Sequence, residues 1–494
     1  SMLLLGIDVG TSSIKVSVVN AADTKLVASA QFPETEATII SHHPGWAEQE
    51  PESWWQYACR AIQKLNASGS FNPHDIAAIG IAYQMHGLVI VDKNKKVLRS
   101  SIIWCDSRAV ETGNKAFEAI GPAWCRKHLL NSPGNFTASK LAWVKDQEPA
   151  VFEKADKLML PGDYIAMRLT QEITTSPAAL SEGVLWDFQS DAVAQPVMDH
   201  YGFSENIIPP VQPVFSVHGR VTPEVAITLG LKPGIPVSYK AGDQPNNALS
   251  LNVMNPGEIA ATAGTSGVIY AVSDQLTGDP QSRVNSFAHV NHSATQKSIG
   301  VLLCINGTGI MNRWMKDIAG SHLSYTQINE QSANISLGSN GLTILPFGNG
   351  AERMLGNKLM GAQISNLQLT THQPPHLFRA AQEGIACAFR YGLDILKENG
   401  VQPSVIRAGK ANMFLSPLFT DLFVNFTGTP VELYENDGAV GAAIGAGIGA
   451  GIYTSPREAF QNYKPVTLAE PNNNQKAYAS IYERWKSVLE KALS

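Results

Sequence analysis

The chain has 494 residues, of which 44% are apolar and 16% charged, with a net charge of −5. That length exceeds what one hydrophobic core holds and points to two or three folded domains, while the near-balanced charge and the lack of any Lys/Arg-rich run argue against nucleic acid or an anionic membrane as a partner. Five cysteines (Cys59, Cys105, Cys125, Cys304, Cys387), odd in number and without CxxC spacing, suggest neither a disulfide framework nor a zinc site, so a reducing cytoplasm is the expected location.

Leu3 to Val19 reads as strand, tight turn and antiparallel strand, because two β-branched apolar runs flank Gly10-Thr11-Ser12-Ser13. Asp8 stands where the first strand ends. Gly10 lets the backbone approach a ligand, and the N–H and O–H groups of Thr11, Ser12 and Ser13 can cradle an anion. A carboxylate beside a phosphate cradle suits a hydrated Mg²⁺, which takes one or two carboxylates and otherwise keeps water or phosphate oxygens. Taken alone, an ordinary buried hairpin is the plainer reading of this stretch.

Leu26 to Phe32 is a further strand, and His42-His43-Pro44-Gly45-Trp46 a loop whose two histidines lack a third ligand at metal spacing. Pro51 opens a helix with Trp54, Trp55, Ala58, Ala61, Ile62 and Leu65 on one face, as core. Ile76 to Ala82 is a strand buried on both faces that ends in Tyr83-Gln84-Met85-His86-Gly87, and Leu88 to Val91 leaves again. Polar groups at such a strand end are where α/β proteins place ligand contacts, although His86 reads equally as a satisfied core histidine. Asp106 and Arg108, after Ser101 to Ile103, suit either a structural ion pair or the donors and acceptors of a polyol site. Glu111 to about Pro210 is mostly helical, an inserted subdomain. Pro233 to Lys240 is a turn and strand running into Ala241-Gly242-Asp243-Gln244, where a helix begins and Asp243 either caps it or meets a ligand.

Glu258 to Val272 then repeats the opening theme, with Gly264-Thr265-Ser266 at the turn. One copy in each half argues for two similar domains facing each other across one nucleotide, 1–252 and 253–494. Asn306-Gly307-Thr308-Gly309 leads into a helix, Thr343 to Phe347 leads to Gly348 through Arg353, and Pro375 to Glu398 is a long helix. Val405 to Asn412 is a strand ending in a small-residue turn that a flat base or ribose can approach. Ala439 to Ile452 is short for a membrane span and dense in glycine, a helix packed closely on a sheet. Tyr478 to Leu493 is a closing amphipathic helix.

Over essentially its whole length the chain resembles the FGGY carbohydrate kinases. The motifs that carry the resemblance occur in the right order: Asp8 to Ser13, Phe136 to Val144, Gly242-Asp243-Gln244, Gly264-Thr265-Ser266, and Gly361 followed by His376 to Gly384. The resemblance implies an α/β, duplicated ribonuclease-H-like (actin-like ATPase) fold with two domains around a central nucleotide and sugar cleft, and an ATP- and Mg²⁺-dependent phosphotransferase. Gln84-Met85-His86-Gly87, Trp46, Glu48 to Pro51 and Trp54-Trp55 are similar to the xylulose-phosphorylating branch of the family, which implies transfer of the γ-phosphate of ATP to O5 of D-xylulose in pentose catabolism.

The same resemblance implies the site. Asp243 is the expected base, and Asp8 holds Mg²⁺ through water. Gln84, Met85, His86, Asp106 and Gln244 meet the sugar, and Gly10, Thr11, Ser12, Ser13, Gly264, Thr265, Ser266, Gly309, Gly409 and Asn412 the nucleotide. The chain departs from that branch at Arg407-Ala408-Gly409-Lys410, where Gly-Gly-Gly-Ala is usual, at Ala351 to Leu355, and at Gln244 to Asn247. The alternatives are a kinase for another ketose or polyol such as ribulose, or an actin-like assembly ATPase, which needs the phosphate loops but no sugar site. The expected partners are the sugar and ATP, with no nucleic acid or membrane, and homodimerisation is left open.

Overall fold

The computed structural model describes Ser1–Ser494. Five strands of the first half, β1 (Leu3–Val9), β2 (Ile14–Asn20), β3 (Leu26–Phe32), β4 (Ile76–Tyr83) and β5 (Val237–Gly242), form one sheet in the order β5-β4-β1-β2-β3. The first three are an antiparallel meander, and β4 and β5 join parallel to β1. Helix α1 (Pro51–Ala67) starts on its proline and buries Trp54, Ala58, Ile62 and Leu65 in one cluster with Leu5 and Ile7 of β1 and Ile14, Val16 and Val18 of β2.

Between β4 and β5 the chain makes an excursion that is mainly helical from Val110 to Tyr201, with short strands among the helices. One of these, Lys157–Met159, pairs with Val89–Val91 and ties the excursion to the first half.

The second sheet is built from β6 (Glu258–Ala263), β7 (Gly267–Ser273), β8 (Asn285–Ala288), β9 (Ile299–Ile305), β10 (Val405–Gly409), β11 (Val431–Tyr434) and β12 (Thr467–Ala469), in the order β8-β9-β7-β6-β10-β11-β12. Without its edge strands β8 and β12, the order β9-β7-β6-β10-β11 reproduces β3-β2-β1-β4-β5, with the same two antiparallel and two parallel pairings. This is the duplicated ribonuclease-H-like arrangement that the repeated Gly-Thr-Ser hairpin predicts.

Each half ends its fifth strand in a helix that crosses to the other sheet. Helix α2 (Asp243–Ser250) follows β5, and Ala248 with the adjoining Leu251 packs on Ala260, Tyr270, Val272 and Leu302 of the second sheet. Further on come α3 (Gly309–Ala319) and α4 (Pro374–Glu398), the latter covering the far face of that sheet. Helix α5 (Gly438–Gly449) follows β11, and its Ala442, Ala443 and Ala446 cover Leu4, Ala78 and Ala82 of the first sheet. The glycine-dense run is thus a helix packed on a sheet, and the sheet belongs to the opposite half. The approach is backbone on backbone: a Cβ on Gly6 would collide with the Ala439 carbonyl, and one on Gly80 with the Ala442 carbonyl. No helix is long and apolar enough to cross a membrane.

Candidate active site

Asp8 near the end of β1, Asp243 as the first residue of α2 and Asp437 at the N-cap of α5 face one space between the sheets. Burial raises the Asp8 carboxyl to about 7, helped by the negative charges of Asp243 and Asp437 and opposed by Lys15. Asp243 is raised to about 6 by burial, while its own N–H and that of Gln244 hold it down. Asp243 is open to cleft water yet surrounded by protein mass, so its charge is poorly solvated. Gly242 holds the N-cap position of α2, so Asp243 stands just inside the helix. Asp437 caps α5 through the N–H groups of Ala439 and Val440, at 2.8 and 3.3 Å, and forms an ion pair with Lys15. Asn246 donates to the Gly438 carbonyl at 2.8 Å, holding the starts of the two swapped helices together. Asp437 and Lys15 were not among the residues expected from sequence.

The turn after β4 is held in an unusual shape. His86 has φ of 68°, in the left-handed region that a side chain rarely adopts. Its N–H donates to Glu182 Oε2 at 2.8 Å, and its carbonyl accepts from Lys140 Nζ at 2.8 Å and Thr137 Oγ1 at 3.3 Å. Tyr83 OH donates to the other Glu182 oxygen at 2.9 Å. Burial raises Glu182 to about 8, which favours its neutral form at pH 7, and lowers Lys140 to about 8, which leaves it mostly charged there. Burial likewise lowers the His86 ring to about 3, which keeps it neutral, against Phe136 and Phe287 at centroid distances of 4.7 and 5.5 Å. Thr137 and Lys140 give the Phe136 to Val144 motif its local purpose; Glu182 carries no signal in the sequence.

Charge effects show which groups share the cleft. Asp243 disturbs Asp8, Glu182 and Cys304, and Arg353 disturbs His86 and Cys304. The Arg353 charge is felt at both His86 and Cys304, and its Nε is anchored on the Ser282 carbonyl at 2.6 Å. Gln244 is half-buried beside Asp243. Met85 is buried in the apolar cluster that α2 makes with the second sheet. Gln84 turns its amide to the phosphate hairpin, 3.0 Å from Gln49 Oε1 and 3.4 Å from the Gly10 carbonyl.

Asp106 departs from its expected role as a sugar contact. Its carboxylate is fully buried and accepts from Ala47 N at 2.6 Å, Arg108 N at 2.8 Å and Arg108 NH2 at 2.7 Å. The ion-pair alternative describes it, since no oxygen of the group reaches the cleft.

Both hairpin turns are anchored by their carbonyls. Ser13 O accepts from Gly10 N at 3.0 Å, Ser12 O from Ala37 N at 2.7 Å, and Thr11 O from Gln49 Nε2 at 2.8 Å. In the second copy Gly264 O and Thr265 O accept from Gly309 N and Ile310 N at 2.9 and 3.1 Å, and Thr308 Oγ1 bonds to both. Thr265 and Ser266 stay exposed. Beside this turn opens a cavity of about 390 Å³, a size that takes a small organic ligand. Gly264, Thr265, Gly309 and Asn412, four of the residues expected at the nucleotide, line it together with Asn312, Tyr325, Asn329 and Gln382, which sequence reasoning did not name. Gln382 lies in the His376 to Gly384 motif, a signal that was available. Gly409 lies outside this lining, with Asn436 Oδ1 in the space a Cβ on it would need.

Comparison with known proteins bears on the whole chain. The N-terminal domain of the FGGY family of carbohydrate kinases matches residues 3–250, and the C-terminal domain of that family matches residues 259–450. The xylulose kinase of Escherichia coli (strain K12) is 29% identical over 489 residues, covering 98% of this chain and 97% of that protein. The xylulose kinase of Klebsiella pneumoniae is 30% identical over 450 residues, covering 89% and 88%. The crystal structure of xylulose kinase from Rhodospirillum rubrum superimposes with a TM-score of 0.88 at 25% identity, covering 99% of this chain and 98% of that one.

Proposed function

The chain belongs to the FGGY family of carbohydrate kinases, and from that premise we propose that it transfers the γ-phosphate of ATP to O5 of D-xylulose. One observation carries the choice of sugar: relatives that match this chain nearly end to end bear the name xylulose kinase. The cleft supports the chemistry. Phosphoryl transfer asks a protein for positioning, charge neutralisation and an acceptor for the hydroxyl proton. Asp243, raised to about 6, is ionised at neutral pH yet basic enough to accept that proton. His86, Met85 and Gln244 are the sugar contacts in this reading. The Gly10 to Ser13 and Gly264 to Ser266 turns take the phosphates, and the cavity at Asn412 and Gln382 takes the adenosine.

Mg²⁺ fits the donor set. Burial and mutual repulsion disfavour ionised Asp8 and Asp243, an arrangement that a divalent cation relieves. No three His, Cys, Asp or Glu side chains stand close enough to hold a bare ion, so Asp8 would hold a hydrated one, which when bound neutralises phosphate charge.

The test is coupled ADP release with Mg·ATP against D-xylulose, D-ribulose, L-ribulose, L-xylulose, D-fructose and glycerol. The expected result is the highest kcat/KM with D-xylulose. A higher value with another member moves the substrate, and ATP hydrolysis indifferent to every sugar overturns the reading.

A further inference from the structure

The sugar-side turn and the first phosphate hairpin are joined by two glutamines that are 3% and 2% exposed, Gln49 and Gln84. Gln49 lies on the short strand Glu48–Gln49, which pairs with Ser101–Ile102, and Gln84 is the residue after β4. Gln84 Nε2 donates to Gln49 Oε1 at 3.0 Å and to the Gly10 carbonyl at 3.4 Å, while its backbone N–H donates to the Val9 carbonyl at 2.8 Å. Gln49 Nε2 donates to the Thr11 carbonyl at 2.8 Å, and its Oε1 also accepts the Trp54 indole N–H at 3.0 Å. Trp104 Nε1 completes the clamp on Thr11 Oγ1 at 2.9 Å. Gln84 Oε1 is buried with no partner, a cost that an apolar side chain of similar volume would avoid. Packing alone therefore does not account for amides here. Two carboxamides, bonded head to tail and each to one of two successive loop carbonyls, fix the position of the hairpin along the end of β4.

We infer that Gln49 and Gln84 are positioning residues for phosphoryl transfer. They lock the Gly10–Thr11 hairpin to the Met85–His86 turn, so that the phosphoryl group and the acceptor hydroxyl meet at a fixed separation. The inference rests on the sugar-kinase reading and deepens it. Neither amide touches the reacting atoms. A misplacement of about 1 Å costs on the order of 10²-fold in rate, which sets the scale of the effect.

The experiment measures steady-state kinetics of Gln49→Leu, Gln84→Leu and the double variant with D-xylulose and Mg·ATP, and sugar-free ATP hydrolysis and Mg·ADP binding alongside. The isosteric Gln49→Glu and Gln84→Glu turn each donor into an acceptor at the same volume, and Mg·ADP binding reports whether each variant is folded. Each single variant is expected to lower kcat about 30- to 100-fold with both KM values within about 3-fold, and to lower the ratio of sugar-dependent to sugar-free turnover. Because the amides act as one unit, the double variant should be about as slow as either single one rather than their product. Four results overturn the inference: kcat retained within about 3-fold, equal loss of sugar-free hydrolysis, multiplicative effects in the double variant, or glutamate variants that bind Mg·ADP and keep full kcat. Wild-type protein without sugar-dependent ADP release refutes the sugar-kinase reading itself, and the inference with it, in a row of the data that contains no variant.

Discussion

Asp243→Asn is the most informative single change. The carboxylate belongs to the first residue of α2, and its pKa of about 6 places its ionisation just below neutral pH. A positioned base contributes about 10²- to 10⁴-fold, so kcat of the variant should fall by that factor while sugar and nucleotide still bind. The wild-type pH profile supplies an independent number. A base must be ionised to act, and a group with a pKa of about 6 is roughly one-tenth ionised at pH 5 and nine-tenths ionised at pH 7, so kcat/KM should fall about tenfold between them. Asp8, raised to about 7 partly by the same neighbour, makes the two titrate as a coupled pair, and their repulsion broadens the acid limb in the free enzyme. The assay is coupled ADP release in constant-ionic-strength buffers, with direct binding measurements on the variant. A variant retaining more than about a tenth of wild-type kcat, or a wild-type profile flat from pH 5 to 7, refutes the assignment of Asp243 as base.

Three further outcomes follow from the same geometry. Glu182 carries its proton in the folded state up to about pH 8 but only to its ordinary 4.5 when unfolded, so folding binds a proton in that window and stability falls as pH rises through it. Glu182→Gln should flatten that slope, worth at most about 5 kcal/mol, in thermal melts of the ligand-free protein from pH 5 to 8; an unchanged slope counts against the burial of that carboxyl. Gly6→Ala forces a methyl into the Ala439 carbonyl, and a lower urea midpoint equivalent to about 1–3 kcal/mol or more is expected, whereas wild-type stability would mean that α5 does not lie on β1 as described. Asp437→Ala should cost about 0.5–2 kcal/mol through the lost α5 cap, and Asp437→Asn should recover most of it because the amide oxygen still accepts the two N–H groups; equal losses would deny the capping role.

What the sequence made legible was local. Gly10 to Ser13 and Gly264 to Ser266 are readable as hairpin turns because β-branched runs flank them directly, and their repetition supplied the duplication. Asp243 was readable from its place at the end of a buried strand. The groups that went unread act across the chain: Lys15 and Asp437 pair over 422 positions. Glu182, an ordinary glutamate in sequence, matters because folding buries it under the Tyr83–His86 turn. Asp106 was misplaced for the converse reason. The local sequence showed an acid near a strand end, but not that Arg108 and Ala47 consume the carboxylate.

The duplication also explains why the cleft is chemically lopsided. Superposing Gly10-Thr11-Ser12 on Gly264-Thr265-Ser266 sets Asp8 against Thr262 and Lys15 against Ile269, so the second copy keeps the anion-binding turn and drops both charges. The fifth strands behave differently, for each leads into a swapped helix with an acid at its start, Asp243 on α2 and Asp437 on α5. Because α5 crosses to the first sheet, Asp437 is delivered to the side that already holds Asp8 and Lys15. Three carboxylates and one ammonium thereby gather at the first turn, where charge must be managed during phosphoryl transfer. The second turn keeps Thr265 and Ser266 exposed beside a cavity lined by amides, which in the proposed reading takes the adenosine by hydrogen bonding and shape. Helix exchange is thus what gives two copies of one fold turns of unequal charge.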